Sequence, residues 1–171
     1  MPNSLTIQFD DIDAFIFDFD GVLTNDLVYV DQNGIETVCC SRADGLAFDV
    51  LKKLEKSVYI LSTEKNSVVT ARASKLNIEA LQGVDDKAEK IKQLTKEKKI
   101  NLKNILYVGN DLNDFLAMNL CGYSACPSDS HNLIKENSDI VLKKKGGNGI
   151  VRELIEEVFK LDIIKILYTK N

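Results

Sequence analysis

Short apolar runs alternate along the chain with segments whose apolar residues recur at helical spacing. The short runs predict strands buried on both faces of a parallel sheet, and the periodic segments predict amphipathic helices. Because strands and helices alternate, we expect one α/β domain over residues 1–171 with a doubly wound parallel sheet. The predicted strands span residues 14–17, 58–61, 80–81, 105–108, 122–126 and 140–142, and the predicted helices include residues 43–55, 66–76 and 87–98.

One segment departs from this alternation. Residues 27–40 contain two β-rich runs on either side of Asn33-Gly34, and Asn-Gly between such runs is the strongest short-range signal for a hairpin. The predicted hairpin comes soon after the first strand. It is therefore placed either to reach over a site at the end of that strand or to decorate the surface.

Two carboxylates, Asp18 and Asp20, follow the first predicted strand. Residues i and i+2 of an extended segment point the same way, so both side chains emerge at the carboxyl end of the strand, where open α/β sheets bind ligands. Carboxylates this close repel each other unless a cation lies between them, and oxygen donors in phosphate chemistry favour Mg²⁺. The alternative is a pair of solvated aspartates around a turn at Gly21.

Further polar residues stand where later elements begin or end. Ser62 and Thr63 end the second predicted strand, Lys87 begins a helix, and Asp111 follows a later strand. Each has an ordinary alternative: a loop or helix cap for the hydroxyls, one more solvated lysine, and a helix N-cap for the aspartate. Their shared place at the carboxyl edge of the predicted sheet favours a single site.

Composition limits the classes of protein. The chain of 171 residues has a net charge of −4, which gives no reason to expect a nucleic-acid partner. No apolar run of about eighteen residues predicts a membrane span, and the first residues lack the pattern of a signal peptide. The four cysteines include no CxxC pair, so we expect reduced thiols in a cytoplasmic protein, and we expect the single histidine, His131, in solvent.

The segment DFDGVLT, residues 18–24, resembles the DxDGxxT signature of the haloacid dehalogenase-like (HAD) phosphohydrolases. The resemblance implies a Rossmann-like fold and hydrolysis of a phosphomonoester. It implies that Asp18 is the nucleophile, which becomes phosphorylated, and that Asp20 is the general acid and base. Larger members of the family carry a cap domain after this motif, whereas this chain has room only for the hairpin at 27–40.

The family's second and third motifs are matched in the same order. By that match Ser62 hydrogen-bonds the phosphoryl group with help from the amide of Thr63. Lys87, after Gly83 and at a helix start, neutralises the nucleophile and the phosphoryl oxygens. Helix starts bind anions readily, which favours Lys87 among the lysines of its helix.

The family's fourth motif implies the metal site. Mg²⁺ is then held by Asp18, by the main-chain carbonyl of Asp20 and by Asp111, with Asp114 in supporting contact through water or Lys87. The chain departs from many relatives in one respect, because Asn110 stands where they have an acidic residue.

Five other segments resemble a narrower, capless and tetramer-forming subgroup: SRADGLAF, LSTEKN, QGVDDK, GNDLND and KKGGNGIVRE. That subgroup contains 3-deoxy-manno-octulosonate 8-phosphate phosphatases, nonulosonate 9-phosphate phosphatases, and the carboxyl-terminal domains of some sialic acid cytidylyltransferases. It implies a sugar-acid phosphate as substrate and a homotetramer in which a neighbouring subunit completes each site. The alternatives are a non-catalytic oligomerisation domain and a phosphosugar mutase, although a mutase usually needs the cap that this chain lacks.

The substrate preference is expected to depend on Glu64 and Arg72. Relatives that cleave the octulosonate phosphate typically have Gly-Arg at positions 63–64, so Glu64 reverses the local charge. A carboxylate accepts hydrogen bonds from sugar hydroxyls but repels a substrate carboxylate, which Arg72 is then expected to bind. These residues favour a nine-carbon acid 9-phosphate. The alternative places both on a solvated helix face.

A glycine-rich loop and a final helix close the chain. Gly146 and Gly147 are candidates for a mobile lid or a phosphate clamp, and a helix is expected from about Gly149. The apolar tail, residues 161–171, is expected to dock on the domain or on a neighbour.

Overall fold

The computed structural model describes residues 7–169, through which strands and helices alternate. The strands are β1 (Ala14–Phe17), β2 (Thr24–Val30), β3 (Glu36–Cys40), β4 (Ser57–Leu61), β5 (Glu79–Leu81), β6 (Ile105–Val108), β7 (Tyr123–Cys126) and β8 (Ile140–Val141). The helices are α1 (Ala43–Lys53), α2 (Val68–Leu76), α3 (Lys87–Lys98), α4 (Phe115–Leu120), α5 (Asn132–Glu136), α6 (Ile150–Glu153), which continues with wider turns to Val158, and α7 (Ile163–Tyr168).

Six strands form one sheet in the order β5-β4-β1-β6-β7-β8, in which every adjacent pair is parallel. The chain winds outward from β1 in both directions, first through β4 and β5 and then through β6, β7 and β8. This confirms the predicted doubly wound parallel sheet. The winding reverses next to β1, and open α/β sheets bind their ligands at the carboxyl ends of the strands at such a point.

Both faces of the sheet are covered, which explains the unbroken apolar runs. None of the four side chains of β1 is exposed. Phe15 and Phe17 face a core shared with α1, α2 and α6, whereas Ala14 and Ile16 face a second core shared with α3 and α4. The central strand is thus held from both sides, so the polar residues at its end start from a fixed position.

The predicted bounds of β1, β6 and α3 are confirmed, and those of most other predicted elements shift by one or two residues. Helix α2, predicted from residue 66, begins at Val68 because the side chain of Asn66 accepts a hydrogen bond from the N–H of Val68 at 3.1 Å and holds a turn before the helix. The short helix α5 was not predicted, since its five residues are too few to show a helical period.

The predicted hairpin is present as the antiparallel pair β2–β3. It begins at Thr24 instead of residue 27, because Thr24 already pairs with Cys40. Asp31 closes the loop by accepting hydrogen bonds from the N–H groups of Asn33 and Ile35 at 2.8 and 2.9 Å. Five large apolar side chains of the hairpin are more than half exposed, namely Leu27, Val28, Tyr29, Val30 and Ile35.

The expectations that concern other parts of the chain have simple outcomes. No helix within residues 7–169 is long and apolar enough to cross a membrane. The four cysteines are free thiols. His131 is exposed, and its Nδ1 accepts a hydrogen bond from the N–H of Leu133 at 3.2 Å. Helix α7 packs against α1 while Ile164 and Tyr168 remain exposed.

Asp44, in the first turn of α1, connects that helix to α6. Its Oδ1 accepts hydrogen bonds from the N–H groups of Val151 and Arg152 at 2.9 and 3.1 Å. Burial raises the pKa of Asp44 to about 6, although these two N–H groups and the charges of Arg72 and Lys144 act in the opposite direction. The folded chain therefore holds a proton on Asp44 more tightly than the unfolded chain does.

We predict that Asp44 makes the stability of the fold depend on pH. Its pKa is higher in the folded than in the unfolded state, so the folded chain binds more protons between roughly pH 4 and 6, and the free energy of unfolding falls as pH rises through that window, by about 3 kcal/mol. The Asp44→Asn variant lacks this dependence, which urea titrations from pH 4 to 7 measure.

Asp49→Asn, on the exposed face of the same helix, is the control for that experiment. The difference in unfolding free energy between the wild type and Asp44→Asn should shrink with rising pH, and the difference from Asp49→Asn should stay constant. A wild-type advantage over Asp44→Asn that grows between pH 4 and 6 would contradict the raised pKa.

Candidate active site

The carboxyl ends of β1, β4 and β6 border a cavity of about 90 Å³. Five of the residues that the sequence predicts for the site line this cavity, and three further residues complete its wall. The predicted ones are Asp18, Asp20, Ser62, Thr63 and Asp111, and the others are Asp26, Asn110 and Asn113. Since Lys87 forms an ion pair with Asp18, the structure brings together every residue predicted for catalysis or metal binding.

The loop that follows β1 has a fixed conformation. The N–H of Asp18 donates to the carbonyl of Val108 at 2.9 Å, which extends the contact between β1 and β6 by one residue. Gly21 turns the backbone with φ of +77°, a conformation that side chains disfavour. The hydroxyl of Thr24 accepts hydrogen bonds from the N–H groups of Gly21 and Asp26, both at 3.2 Å. Asp20 is therefore carried on a turn with internal hydrogen bonds.

Lys87, the first residue of α3, forms a buried ion pair with two carboxylates. Its Nζ lies 2.9 Å from Oδ1 of Asp18 and 2.7 Å from Oδ1 of Asp114, and the residue is only 3% exposed. Burial lowers the pKa of the ammonium, but the charges of Asp18 and Asp114 outweigh it and raise the pKa above its usual value. Lys87 is therefore a permanent cation beside Asp18.

Asp114 is fully buried, and its hydrogen bonds direct it away from the cavity. Oδ1 accepts from the hydroxyl of Tyr107 at 2.7 Å as well as from Lys87, and Oδ2 accepts from the N–H groups of Asn110 and Asp111 at 2.9 and 3.3 Å. The structure thus places Asp114 in contact with Lys87, and the same carboxylate fixes the backbone after β6.

Asp18 and Asp20 have different surroundings. Burial, and then the charge of Asp114, raise the pKa of Asp18, whereas Lys87 acts in the opposite direction. Burial also raises the pKa of Asp20, followed by the charges of Glu64 and Asp26. Asp20 is only half-buried, so its carboxyl group is open to the cavity.

Asn110 connects the ends of β6 and β1 at the cavity. Its side-chain amide donates to the main-chain carbonyl of Asp20 at 2.9 Å and to Oδ2 of Asp18 at 3.2 Å. No group of three His, Cys, Asp or Glu side chains within residues 7–169 is arranged to hold a metal. A carboxylate and a main-chain carbonyl converge here with the hard oxygen atoms that Mg²⁺ requires, and the carboxamide of Asn110 could add its oxygen after a half-turn rotation, so these residues fit the ion.

Asp111, which the sequence predicts as a metal ligand, lies at the exposed rim of the cavity. Its Oδ1 accepts a hydrogen bond from the N–H of Leu112 at 2.7 Å, so the side chain caps the short helical turn 112–114. In this conformation Asn110, and not Asp111, contacts both Asp18 and the carbonyl of Asp20.

Ser62 and Thr63 form the wall of the cavity at the end of β4. Ser62 is buried, and its hydroxyl accepts a hydrogen bond from the N–H of Glu64 at 3.1 Å. Thr63 is exposed at the mouth. Oε1 of Glu64 accepts from the N–H groups of Lys65 and Asn66 at 2.7 and 2.8 Å, so Glu64 closes its own turn and does not line the cavity.

The structure does not bring Arg72 into the cavity. Its Nη2 donates to the carbonyl of Ser41 at 2.8 Å. Arg72 also lines a separate depression of about 190 Å³, together with Arg42, Gly45, Lys75 and Leu76. Within one chain, therefore, Arg72 joins α2 to the end of the hairpin.

Sequence reasoning missed two residues of the wall and the position of a third. Asp26 and Asn113 carry no signal beyond their nearness to the motifs around Asp20 and Asp111. Asn110 did give a signal, because it replaces an acidic residue in the matched motif. Its contact with Asp18 appears only when β1 and β6 are placed side by side.

Comparison with known proteins identifies the family. Residues 46–154 match a family model described as haloacid dehalogenase-like hydrolase. The 3-deoxy-D-manno-octulosonate 8-phosphate phosphatase of Escherichia coli (strain K12) is 32% identical over 148 residues, which cover 86% of this chain and 79% of that protein. The same phosphatase of Salmonella typhimurium is 32% identical over 156 residues, or 91% of this chain and 82% of that protein.

Two solved structures show the same fold. The 3-deoxy-D-manno-octulosonate 8-phosphate phosphatase of Moraxella catarrhalis, in complex with a magnesium ion, a phosphate ion and KDO, has a TM-score of 0.83 at 32% identity and covers 88% of this chain and 87% of its own. The cobalt-bound deoxy-D-mannose-octulosonate 8-phosphate phosphatase of Haemophilus influenzae has a TM-score of 0.83 at 28% identity, with 88% and 89% covered.

Proposed function

Since the chain belongs to the haloacid dehalogenase-like hydrolases and is a phosphatase of that family, we propose that it is a Mg²⁺-dependent phosphomonoesterase that releases phosphate from a sugar-acid phosphate. The substrates in question are a nonulosonate 9-phosphate and 3-deoxy-manno-octulosonate 8-phosphate. The proposal rests mainly on Asp18. Its carboxylate lines the cavity and forms an ion pair with the buried Lys87 through Oδ1.

The first step forms an aspartyl phosphate. Asp18 attacks phosphorus in line, so a bond from its carboxylate to phosphorus forms while the bond to the sugar oxygen breaks. Lys87 and the hydroxyl of Ser62, with the amide of Thr63, stabilise the charge on the equatorial phosphoryl oxygens. This role suits Lys87 because it reaches Asp18 from a site where water is excluded.

Asp20 moves the protons of both steps. In the first step its carboxyl group donates a proton to the departing sugar oxygen. In the second step the carboxylate removes a proton from the water that attacks the aspartyl phosphate, which restores Asp18 and releases phosphate. Its half-buried position at the edge of the cavity, two residues after Asp18, is what this role requires.

The residues that would hold Mg²⁺ are Asp18, through Oδ2, and Asp20, through its main-chain carbonyl. We add Asn110, whose carboxamide would present its oxygen after a half-turn rotation, and we keep Asp111, at the rim of the cavity, as the alternative ligand. When bound, the ion supplies positive charge that offsets repulsion between Asp18 and an incoming phosphate. The solved relative from Moraxella catarrhalis contains magnesium, which supports Mg²⁺ as the ion.

We predict that Asp18→Asn removes hydrolysis without unfolding the protein. The change is nearly isosteric and deletes the nucleophile, so turnover of a sugar-acid phosphate should fall by at least about 10³-fold. Chelation with EDTA should abolish wild-type turnover and Mg²⁺ should restore it. Phosphate release, with circular dichroism as the check on folding, makes the measurement, and Asp49→Asn is the control. Turnover retained by folded Asp18→Asn would eliminate the nucleophile assignment.

A calorimetric measurement separates Asn110 from Asp111 as the candidate metal ligand. Asn110→Ala should weaken Mg²⁺ binding, measured by calorimetry, by at least about tenfold, whereas Asp111→Ala should have a smaller effect because its oxygen already caps a turn. The reverse order of effects would show that Asp111 moves to the metal when the ion binds.

Two other functions fit less well. A non-catalytic oligomerisation domain has no need of a buried Lys87 between Asp18 and Asp114, and this pairing costs free energy to bury. A phosphosugar mutase usually needs a cap that holds a bisphosphate, and the segment after Asp20 contains only the β2–β3 hairpin.

The free cysteines suit the reducing cytoplasm, where we propose that the enzyme acts.

We also propose that the chain forms a homotetramer in which the hairpin, residues 27–40, lies near a neighbour's active site. The hairpin exposes large apolar side chains on both of its faces, among them Leu27 and Tyr29 on one and Val28 and Val30 on the other. Asp20 is also open to water in the single chain, and a neighbouring hairpin would close the cavity as a cap does in larger relatives.

Light scattering tests the assembly. At micromolar concentration the measured mass should be four times the 19.1 kDa of one chain. The double variant Leu27→Lys/Tyr29→Lys should lower that mass and the activity together, whereas Ile164→Lys, at an exposed apolar residue of α7, should change neither. A wild type that is fully active as a monomer would refute the proposed assembly.

The substrate preference follows from charge at the mouth of the cavity. Asp26 and Asp111 line it, and Glu64 lies close enough to raise the pKa of Asp20. These carboxylates repel the acid group of the substrate and accept hydrogen bonds from its hydroxyls. A nine-carbon acid 9-phosphate holds its two anionic groups further apart than an eight-carbon acid 8-phosphate. We therefore propose that the nine-carbon substrate is preferred, with Arg72, which lies outside the cavity in the single chain, as the partner of its distant carboxylate.

Three enzymes decide the preference: wild type, Glu64→Arg and Arg72→Ala. Wild type should favour the nine-carbon substrate, and Arg72→Ala should lose roughly 1.5–3 kcal/mol of transition-state binding, or about ten- to a hundredfold in kcat/KM. Glu64→Arg should shift the ratio toward the octulosonate phosphate. Lys96→Ala, in the last turn of α3, is the charge control. A wild type that prefers the octulosonate, or unaltered constants in Arg72→Ala, would contradict this assignment.

A further inference from the structure

The glycine-rich loop between β8 and α6, residues 142–149, is a motif that the proposed chemistry does not use, yet it packs directly on the catalytic loop. The N–H of Gly147 donates to the carbonyl of Val22 at 3.0 Å. A Cβ atom on Gly146 would lie 2.0 Å from the carbonyl oxygen of Gly21 and 3.0 Å from that of Thr24. Only a residue without a side chain allows the two backbones to approach this closely.

The turn at Gly21 is enclosed on its other side as well. A Cβ atom on Gly21 would lie 2.6 Å from Cγ of Asn110, whose amide group contacts the carbonyl of Asp20. Gly21 is therefore held between Gly146, which packs on its carbonyl group, and Asn110, which packs on its Cα and on the carbonyl of Asp20. Because close-packed atoms transmit displacements, a shift of Gly146 moves Gly21 and, through it, the Asp20–Gly21 peptide and the side chain of Asp20.

The loop itself is pinned at several points. The buried carboxylate of Glu153 accepts hydrogen bonds from the N–H groups of Lys143 and Lys144 at 2.7 and 2.9 Å. Oδ1 of Asp129 accepts from the N–H of Gly146 at 2.9 Å. The N–H groups of Gly146 and Gly147 thus have partners within the protein. These contacts do not fit the mobile lid or phosphate clamp considered from the sequence.

We propose that Gly146 is a positioning residue, which acts by holding Gly21, and through it the carbonyl and side chain of Asp20, in place for proton transfer and metal binding. Glu153 supports it by fixing the start of the loop. The catalytic part of this inference rests on the proposed phosphatase function, whereas the mechanical part concerns only the position of Asp20, Gly21 and Asn110.

Gly122 provides a matched control. A Cβ atom there would lie 1.9 Å from the carbonyl oxygen of Lys103, a backbone clash as severe as that at Gly146. Gly122 lies at the amino end of β7, whereas the cavity is at the carboxyl ends of the strands. Gly146→Ala and Gly122→Ala therefore impose similar strain, but only the first imposes it on the catalytic loop.

The first measurement is kinetic, with p-nitrophenyl phosphate as the probe and Mg²⁺ present. Gly146→Ala should lower kcat by about 10²-fold, the order expected for a displacement of about 1 Å, while KM changes by less than about threefold. Gly122→Ala should lower the thermal midpoint by a similar amount and leave kcat within about threefold. Equal losses of kcat in the two folded variants would overturn the positioning role.

The second measurement needs neither substrate nor metal. In ¹H–¹⁵N spectra, Gly146→Ala should shift the backbone amides of Asp20 and Gly21 and the side-chain amide of Asn110, and Gly122→Ala should leave them unmoved. If the wild type hydrolyses no phosphomonoester, the proposed function fails, but these spectra still decide the mechanical part. Unchanged resonances at all three groups in Gly146→Ala would overturn it.

Glu153→Gln covers the case in which Gly146→Ala does not fold. The substitution keeps the size of the side chain but replaces one acceptor with an amide that cannot accept from the second N–H group. It should shift the same three resonances and lower kcat several-fold. A folded Glu153→Gln protein with wild-type resonances and wild-type kcat would refute the support from the loop.

Discussion

An ammonium group buried between two carboxylates is the interaction on which the catalytic edge depends. Removing Lys87, Asp18 and Asp114 from water carries an effective penalty of several kcal/mol per ion, which only close pairing and further hydrogen bonds offset. The distances of 2.7 and 2.9 Å from the ammonium supply the pairing. Tyr107 supplies one of the further hydrogen bonds. The start of α3 and the ends of β1 and β6 are therefore fixed relative to one another.

This arrangement leaves the cavity with unbalanced negative charge. One ammonium faces two carboxylates, and Asp20 adds another carboxyl group beside them. A negatively charged phosphate enters such a site readily only with a cation, which is a physical reason for the proposed Mg²⁺ independent of any motif. Asn110 carries no charge, so it does not add to the repulsion that an entering phosphate meets.

Close backbone packing gives the edge its geometry. At Gly21 and Gly146 two loops approach within a distance that no side chain permits, and the polar groups between them are used for hydrogen bonds. The hairpin differs in character, because its apolar side chains face solvent on the single chain. The domain thus combines a closely packed catalytic edge with an adjoining apolar surface that is exposed to solvent.

Short-range pattern in the sequence predicts the order of all eight strands and of most helices, and it identifies the residues at the strand ends. Runs such as 14–17 and 105–108 are apolar since both faces of the sheet are covered, and Asp18 follows directly from the end of such a run. Tertiary structure alone decided which of those residues touch. Asn110 and not Asp111 contacts Asp18, Arg72 binds Ser41 and lies outside the cavity, and Gly146 rests on Gly21. Some of these contacts join residues that are far apart in the chain, and others distinguish neighbouring residues in one turn. They are fixed only when β1 packs beside β6 and when the loop of residues 142–149 packs on the loop that follows β1.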